Sequence, residues 1–360
     1  MTQVALHTRF EDITEAQWGE LLAHSADATV FQSRAWLTGW WECFGQPDWT
    51  LHLLTAEQHG QLVALAPLYR RPARFGGHEL RLLGEGHSDY LLFMVRRGAE
   101  QVIDDLLQAM AVSIDEGSNA LLADVPETSL LHVALQQRAS TGGGNARLAL
   151  HCTHRTPCPR VALAGNQAGI AALLRKQSLR RHYRSLASLG PVVVTHHVDP
   201  ANILSVLPQL FAMHRARWDG TATPSQFTDS ANRRFYEVVT ASLPPGTVWL
   251  TTVHAGRDLA AIHFGLRSGS DFIWYKPAYE VSLQRHGPGE VLLQALLQHA
   301  QAEGCREFDF ARGDDAYKQR FATATDWNSS YEWISQRWPQ RSWQRLRLAV
   351  RGLRSLRGKQ

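Results

Sequence analysis

Apolar positions along the chain change their period several times, and the changes mark out its elements. Thr14–Gln17 reads as a helix opening, with Trp18, Leu21 and Leu22 on one side. Residues 1–48 are expected to be helical and mixed. Trp36, Trp40, Trp41 and Phe44 recur at helical spacing, as a core stripe or as an aromatic wall for a sugar or acyl group. Alternating runs follow in WTLHLLTAE, QLVALAPLYRR and HELRLLG, separated by turn-forming Gly and Pro, so three strands are expected. The period returns to helical over 99–116 and then gives way to a short buried strand, ALLADVP. The second half repeats this order. Helices are expected over 169–189, 204–218 and 230–242, with the strand VVVTHHV after the first. A three-stranded meander follows (TVWLTTVH, LAAIHFGLR, FIWYKPAY), then a helix over 290–303, the strand REFDFARG, and a helical turn over 314–321.

The repetition points to a duplicated α/β lobe. ALLADVPET in the first half sits where REFDFARGDD sits in the second. The Gly-rich stretch Thr141–Asn145 marks a boundary, which gives lobes at 1–145 and 146–336 and a C-terminal segment at 337–360. The halves differ at one place. Before its helix the second carries Gln284-x-x-Gly287-x-Gly289, whereas the first carries MVRRGAEQ. Glycines at a helix start let a bound group approach the backbone and its free N–H donors, which suits a phosphate.

Composition narrows the picture. The chain has 360 residues, 44% of them hydrophobic, with 12 Trp and a net charge of +4. Eight basic residues and no acidic ones lie in 337–360, so the remaining 29 basic and 33 acidic residues leave a body at −4. A mildly acidic body argues against a general nucleic-acid binder. The tail places Trp343, Leu346, Val350 and Leu353 at helical spacing beside Arg347, Arg351 and Arg354. This basic amphipathic pattern fits an anionic membrane surface, a partner docking face or nucleic acid. Four cysteines make no disulfide framework. The N-terminus has no signal-peptide core, and no run reaches the roughly 20 apolar residues of a membrane span. A cytoplasmic protein is expected, with peripheral attachment at the inner face of the membrane through its tail. His151, Cys152, His154 and Cys158 match no usual zinc spacing, and Pro157 and Pro159 point to a loop, so no metal is expected.

The order of meander, Gly loop, helix and strand resembles the GNAT acyltransferase core. LRRHYRSLASLGPV, HRARW, FIWYKPAY, HGPGEVLLQ and FDFARGDDAYKQRF carry a closer similarity to its CelD/BcsL-like branch, the acetyltransferase 6 group, over about 165–322. The two-lobed layout is similar to Fem-type aminoacyl and acyl transferases. The resemblance implies an α/β (α+β) fold of tandem GNAT-like lobes, each a mixed, mainly antiparallel sheet flanked by helices. It implies an acyl-CoA co-substrate, acetyl-CoA or longer, held by Gln284, Arg285, His286, Gly287, Pro288, Gly289 and Glu290. Pro288 departs from the simplest pattern and removes one N–H donor.

N-acyl transfer needs a polarised thioester, a deprotonated amine and a protonated leaving thiolate. Tyr317 holds the position at which such enzymes often place the thiolate's proton donor, or else packs at the lobe surface. Asp309, Glu290 and His214 are the candidate bases. Asp309 either points into a cleft that raises its pKa or pairs with Lys318 or Arg312, and His214 either titrates or packs. Lys276 beside Tyr275, with Arg217, Trp218 and Lys318, is placed at the acceptor, and Asp89 and Tyr90 of the first lobe at an acceptor cleft. The basic run Arg175, Lys176, Arg180, Arg181, Arg184 is a solvated face or a contact for an anionic ligand. The expected activity is acyl-CoA-dependent N-acylation of an amino sugar or related envelope precursor. Fem-like transfer from aminoacyl-tRNA and a non-catalytic scaffold in polysaccharide synthesis are the alternatives.

Overall fold

The computed structural model describes residues 2–73, 76–115, 118–140, 148–221 and 224–335. The boundary expected at Thr141–Asn145 and the basic tail 337–360 lie outside these residues. The fold is mixed α/β, with mainly antiparallel strands flanked by helices. The chain divides into two compact units. One comprises residues 1–34, 45–155 and 327–360; the other comprises 35–44 and 156–326.

The first unit opens with strand β1 (Thr2–His7), where a helical start was expected; its residues pair antiparallel with β2. Helix α1 (Glu15–His24) begins as expected, its Thr14 cap and Gln17 bonding reciprocally. Helix α2 (Arg34–Phe44) carries the Trp stripe. The meander is β2 (Thr50–Gln58), β3 (Gln61–Pro72) and β4 (His78–Leu82), with the two-residue β5 (Met94–Val95) on β3. Helix α3 (Ile103–Asp115) covers it, and β6 (Ser118–Pro126) runs parallel to β4. Helix α4 (Leu130–Ser140) precedes strand β7 (Leu148–Ala162).

Strand β7 occupies the stretch expected to be a loop. Pro157 and Pro159 fit a strand because they take part through their carbonyls, which accept from the N–H groups of Gly313 and Phe310 at 2.9 Å each. Among the described residues no group of three potential metal ligands forms.

In the second unit the helix expected over 169–189 is two helices, α5 (Gln167–Leu174) and α6 (Gln177–Ala187), broken at Arg175–Lys176. Edge strand β8 (Val192–His197), α7 (Pro200–Trp218) and α8 (Ser230–Ser242) follow. The meander is β9 (Val248–Ala255), β10 (Asp258–Ser268) and β11 (Asp271–Tyr279). A 3-10 helix (Val281–His286) leads into α9 (Pro288–Ala302), then β12 (Glu307–Asp309), α10 (Ala316–Phe321) and β13 (Ala324–Ser335). Leu292, Leu293, Leu296 and Leu297 of α9 are at most 1% exposed. Each such burial is worth about 1.5–3 kcal/mol at most, which fixes the helix and the loop before it.

The two units share a topology: an antiparallel meander, a helix, and a strand parallel to the meander's third strand. Each also takes a piece of distant sequence. Residues 160–162 of β7 pair with β12 in the second unit, and residues 328–334 of β13 pair with β6 in the first. Residues 35–44 of α2 belong to the second unit, where Trp36, fully buried, meets Phe235 edge-on with ring centroids 5.0 Å apart.

Candidate active site

Strand β12 ends where β11 continues. The two pair only over Asp271–Ile273 with Glu307–Asp309. Beyond that point β11 keeps β10 as its ladder partner, and the unpaired side opens a cleft of about 310 Å³. Trp274, Pro277, Ala278 and Tyr279 of β11 line it, with Gln284, Gly287, Pro288, Gly289, Glu290 and Leu293 from the loop and α9. His182 of α6, Arg217 of α7, and Tyr317 and Arg320 of α10 complete it.

A bulge shapes the wall. Trp274 and Tyr275 of β11 oppose the single residue Gly265 of β10 between Ile273 and Lys276. The Tyr275 N–H, displaced from the ladder, donates to Nε2 of His263 at 3.1 Å. That ring is fully buried, and its pKa is lowered to about 3 by burial. It stacks on Trp274 with centroids 4.3 Å apart. The Trp274 indole N–H donates in turn to the Tyr317 phenol oxygen at 3.1 Å. Burial pushes the Tyr317 pKa up to about 12, although the Trp274 hydrogen bond pulls the other way. The phenol is thus a proton donor at neutral pH, its oxygen already carrying one accepted bond.

The glycine loop is less open to an anion than its sequence implies. Gly287 has φ 64° and caps α9. Its N–H bonds to the Gln284 carbonyl at 3.0 Å, Pro288 has none, and the Glu290 N–H bonds back to Gly287 at 3.0 Å. Among the described residues only the Gly289 N–H of 287–290 has no partner. A side chain on Gly287 would meet the His182 ring at 2.4 Å, so this glycine makes room for a neighbour in the fold. At Gly289 the nearest atom is Tyr279, at an ordinary 3.5 Å, which leaves that position to a ligand.

Glu290 is a paired anion. It accepts from His182 Nδ1 at 2.7 Å and from Arg320 at 2.6 Å. Burial raises its pKa, but the bonds from Arg320 and His182 outweigh this and hold the carboxyl below its usual range. Because the carboxylate accepts, Nδ1 of His182 carries a proton. Its Nε2 is left without a partner among the described residues. Sequence reasoning missed His182, which sits unremarked in the basic run RRHYR, and it missed Trp274 and Arg320; the spacing of three residues in separate helices and a strand gave no signal for them.

The other expected site residues fall elsewhere. Arg285 and His286 bond to each other at 3.0 Å, and His286 also meets Ser185 Oγ at 2.9 Å, so both brace the loop. Asp309 accepts from the Ala311 N–H at 2.7 Å, an alanine held at φ 56°. Lys318 is buried against Asp315 at 3.1 Å and the Arg312 carbonyl at 2.8 Å. His214 shares a 2.7 Å hydrogen bond with Ser225; burial first, then Lys276 and Arg217, lowers its pKa to about 3, which keeps it neutral. Lys276 lies 4.5 Å from the ring centroid of Tyr275, which is itself buried against Trp36, while Trp218 stands beside Arg217. Asp89 and Tyr90 belong to the first unit, where their carbonyls accept from Asn328 and Gln32. None of these ten residues lines the cleft.

Residues 174–319, which hold every residue of the cleft but Arg320, match the family model described as Acetyltransferase (GNAT) domain. That stretch is similar to GNAT-type acetyltransferase domains. Its fold is shared with solved structures of low identity. The structure of FemX has a TM-score of 0.62 at 12% identity, covering 93% of this chain and 98% of that one. The C-terminal domain of a putative lysylphosphatidylglycerol synthetase from Agrobacterium fabrum has a TM-score of 0.53 at 12% identity, covering 93% and 95%. L-PGS from Bacillus licheniformis has a TM-score of 0.51 at 11% identity, covering 94% and 95%. No curated protein matches the chain.

Proposed function

We propose that the protein is an acyl-CoA-dependent N-acyltransferase acting on an amino sugar or related polysaccharide precursor, in the manner expected for the CelD/BcsL-like branch. We place its work in the cytoplasm. The observation that carries the reading is one cleft holding a protonated phenol, an oriented imidazole and the glycine loop. A bound acyl-CoA supplies a thioester carbonyl for attack. The residues fit such a donor in part: Gly289 offers one main-chain N–H, and Arg217 and Arg320 add cations at the cleft. No metal is required by this scheme.

His182 is the base in this proposal. Glu290 fixes its tautomer, as carboxylates do for catalytic imidazoles, and Nε2 takes the proton of the acceptor amine. The amine nitrogen bonds to the acyl carbon as the carbon–sulfur bond breaks. Tyr317 gives its phenol proton to the leaving sulfur, and the Trp274 N–H stabilises the phenolate left behind. Asp309 and His214, bonded to a local turn and held neutral, take no part in it.

Calorimetric titration with acetyl-CoA and longer acyl-CoAs tests the donor, and thiol release over a panel of amino sugars tests the reaction. A molecule that binds no CoA ester refutes the proposal. Binding without thiol release moves the protein to the non-catalytic scaffold of a polysaccharide synthesis complex. One observation favours a second donor: three of the four loop residues offer no free N–H to a pyrophosphate. The FemX-like fold then makes an aminoacyl-tRNA donor the reading to test next.

A further inference from the structure

Beside the cleft, on another face of the α6–α9 pair, lies a groove of about 360 Å³. Arg180, Tyr183 and Arg184 of α6 stand along one side; Val194 of β8 with Val291 and Ala295 of α9 provide apolar lining. The basic residues have nothing to neutralise them. The side chains of Arg175, Arg180, Arg181 and Arg184 are exposed and make no hydrogen bond or ion pair among the described residues. By contrast, Arg71, Arg81, Arg96, Arg155 and Arg160 each lie within 3.2 Å of a carboxylate. Between Glu127 and Asp199 there is no acidic residue, against nine Lys or Arg.

Such a face is costly in isolation, because Arg180 and Arg184 repel across one helical turn. Helix α6 is held all the same, by burial of Leu179 and Leu186 and by the bonds of His182 and Ser185 to the loop. Tyr183 is 46% exposed between the two arginines. Guanidinium pairs flanking an aromatic ring, over an apolar floor, match a ligand with a phosphate head and an apolar body.

We infer that the α6–α9 groove is a docking site for an anionic phospholipid at a membrane surface, with the phosphate between Arg180 and Arg184 and the apolar part along Val194, Val291 and Ala295. The apolar floor decides for a lipid, since a free phosphate has no use for it. The inference does not rest on the acyl-transfer reading, because none of these residues lines the cleft.

Hydrogen–deuterium exchange of the full chain tests it, with phosphatidylcholine vesicles, vesicles that also contain phosphatidylglycerol, inorganic phosphate, and an RNA hairpin. Protection of 177–187 and 192–197 by the phosphatidylglycerol vesicles alone is expected. Arg180→Gln/Arg184→Gln weakens that binding roughly thirtyfold, at about fivefold for each arginine near an anionic surface, and leaves acyl-CoA affinity unchanged. Equal protection by inorganic phosphate, protection by the RNA instead, or no protection at this helix with any of the four overturns the assignment. So does vesicle protection that survives in the double variant.

Discussion

At the scale of single residues, the proposed chemistry of the cleft turns on one indole N–H. Tyr317→Phe should lower kcat about a hundredfold with acyl-CoA affinity intact, the usual scale for loss of a general acid. Trp274→Phe should cost about tenfold in kcat, since one charge-stabilising hydrogen bond is lost. If the two act together, Trp274→Phe adds nothing in the Tyr317→Phe background, and rate measurements on the double variant decide it. Additive losses would separate them. The buried histidines bear on stability. His214 and His263 have pKa values lowered to about 3 from 6.5, and His52 and His196 to about 4. A lowered folded pKa means that the unfolded chain binds more protons in acid, so their contribution is present above pH 6.5 and is lost as pH falls toward 4 and 3. Urea midpoints at pH 7.5 and pH 5 should show it. His214→Gln is expected to flatten the difference by about 1–2 kcal/mol, and an unchanged slope would contradict the burial argument.

At the scale of elements, the sequence was legible where a period ran long. Helix α9 with its leucine stripe, the meander β9–β11 and the cap at Thr14 follow from spacing alone. It was less legible where a tertiary partner decides the local structure. Pro157 and Pro159 read as loop residues, yet their carbonyls serve β7. Gln284, Gly287 and Gly289 of the motif line the cleft, but the hydrogen bonds that consume the loop's donors leave no trace in a spacing. His182 was invisible for a related reason: only the fold brings it to Glu290. The loop makes a test of its own. Gly287→Ala should lower thermal stability, by about 1–2 kcal/mol for the left-handed backbone alone, with the His182 clash in addition. Gly289→Ala should leave the melting temperature unchanged and weaken acyl-CoA binding. Loss of stability at Gly289 and none at Gly287 would reverse the roles given to the two glycines.

At the scale of the molecule, two units of one topology were foreseeable from the repeated order of elements, and their composition was not. The second unit includes residues 35–44, with Trp36 against Phe235 and Tyr275 at 5.0 and 5.8 Å. A fragment of 146–336, the unit as spacing would cut it, lacks that ring. Losing a buried Trp costs about 3–5 kcal/mol, so the fragment should melt well below the full chain or fail to accumulate. Trp36→Ala in the full chain should show a loss of that size in denaturant titration. A fragment that melts with the full chain would refute the dependence.

The placement of β13 also sets an order of events at the ribosome. Strand β6 is made early, but the strand that pairs with it, residues 328–334, is made about 200 residues later. Until then a nascent chain displays one bare sheet edge, the kind of surface that invites pairing with other chains. Helix α2 waits too, its tryptophans exposed until residues 235 and 275 emerge. The second unit cannot close before residue 326 is made, nor the first before residue 334, and folding must join segments far apart in sequence, which makes it slow. Yield in cells should therefore depend more on chaperone supply during translation than on the stability of the finished protein.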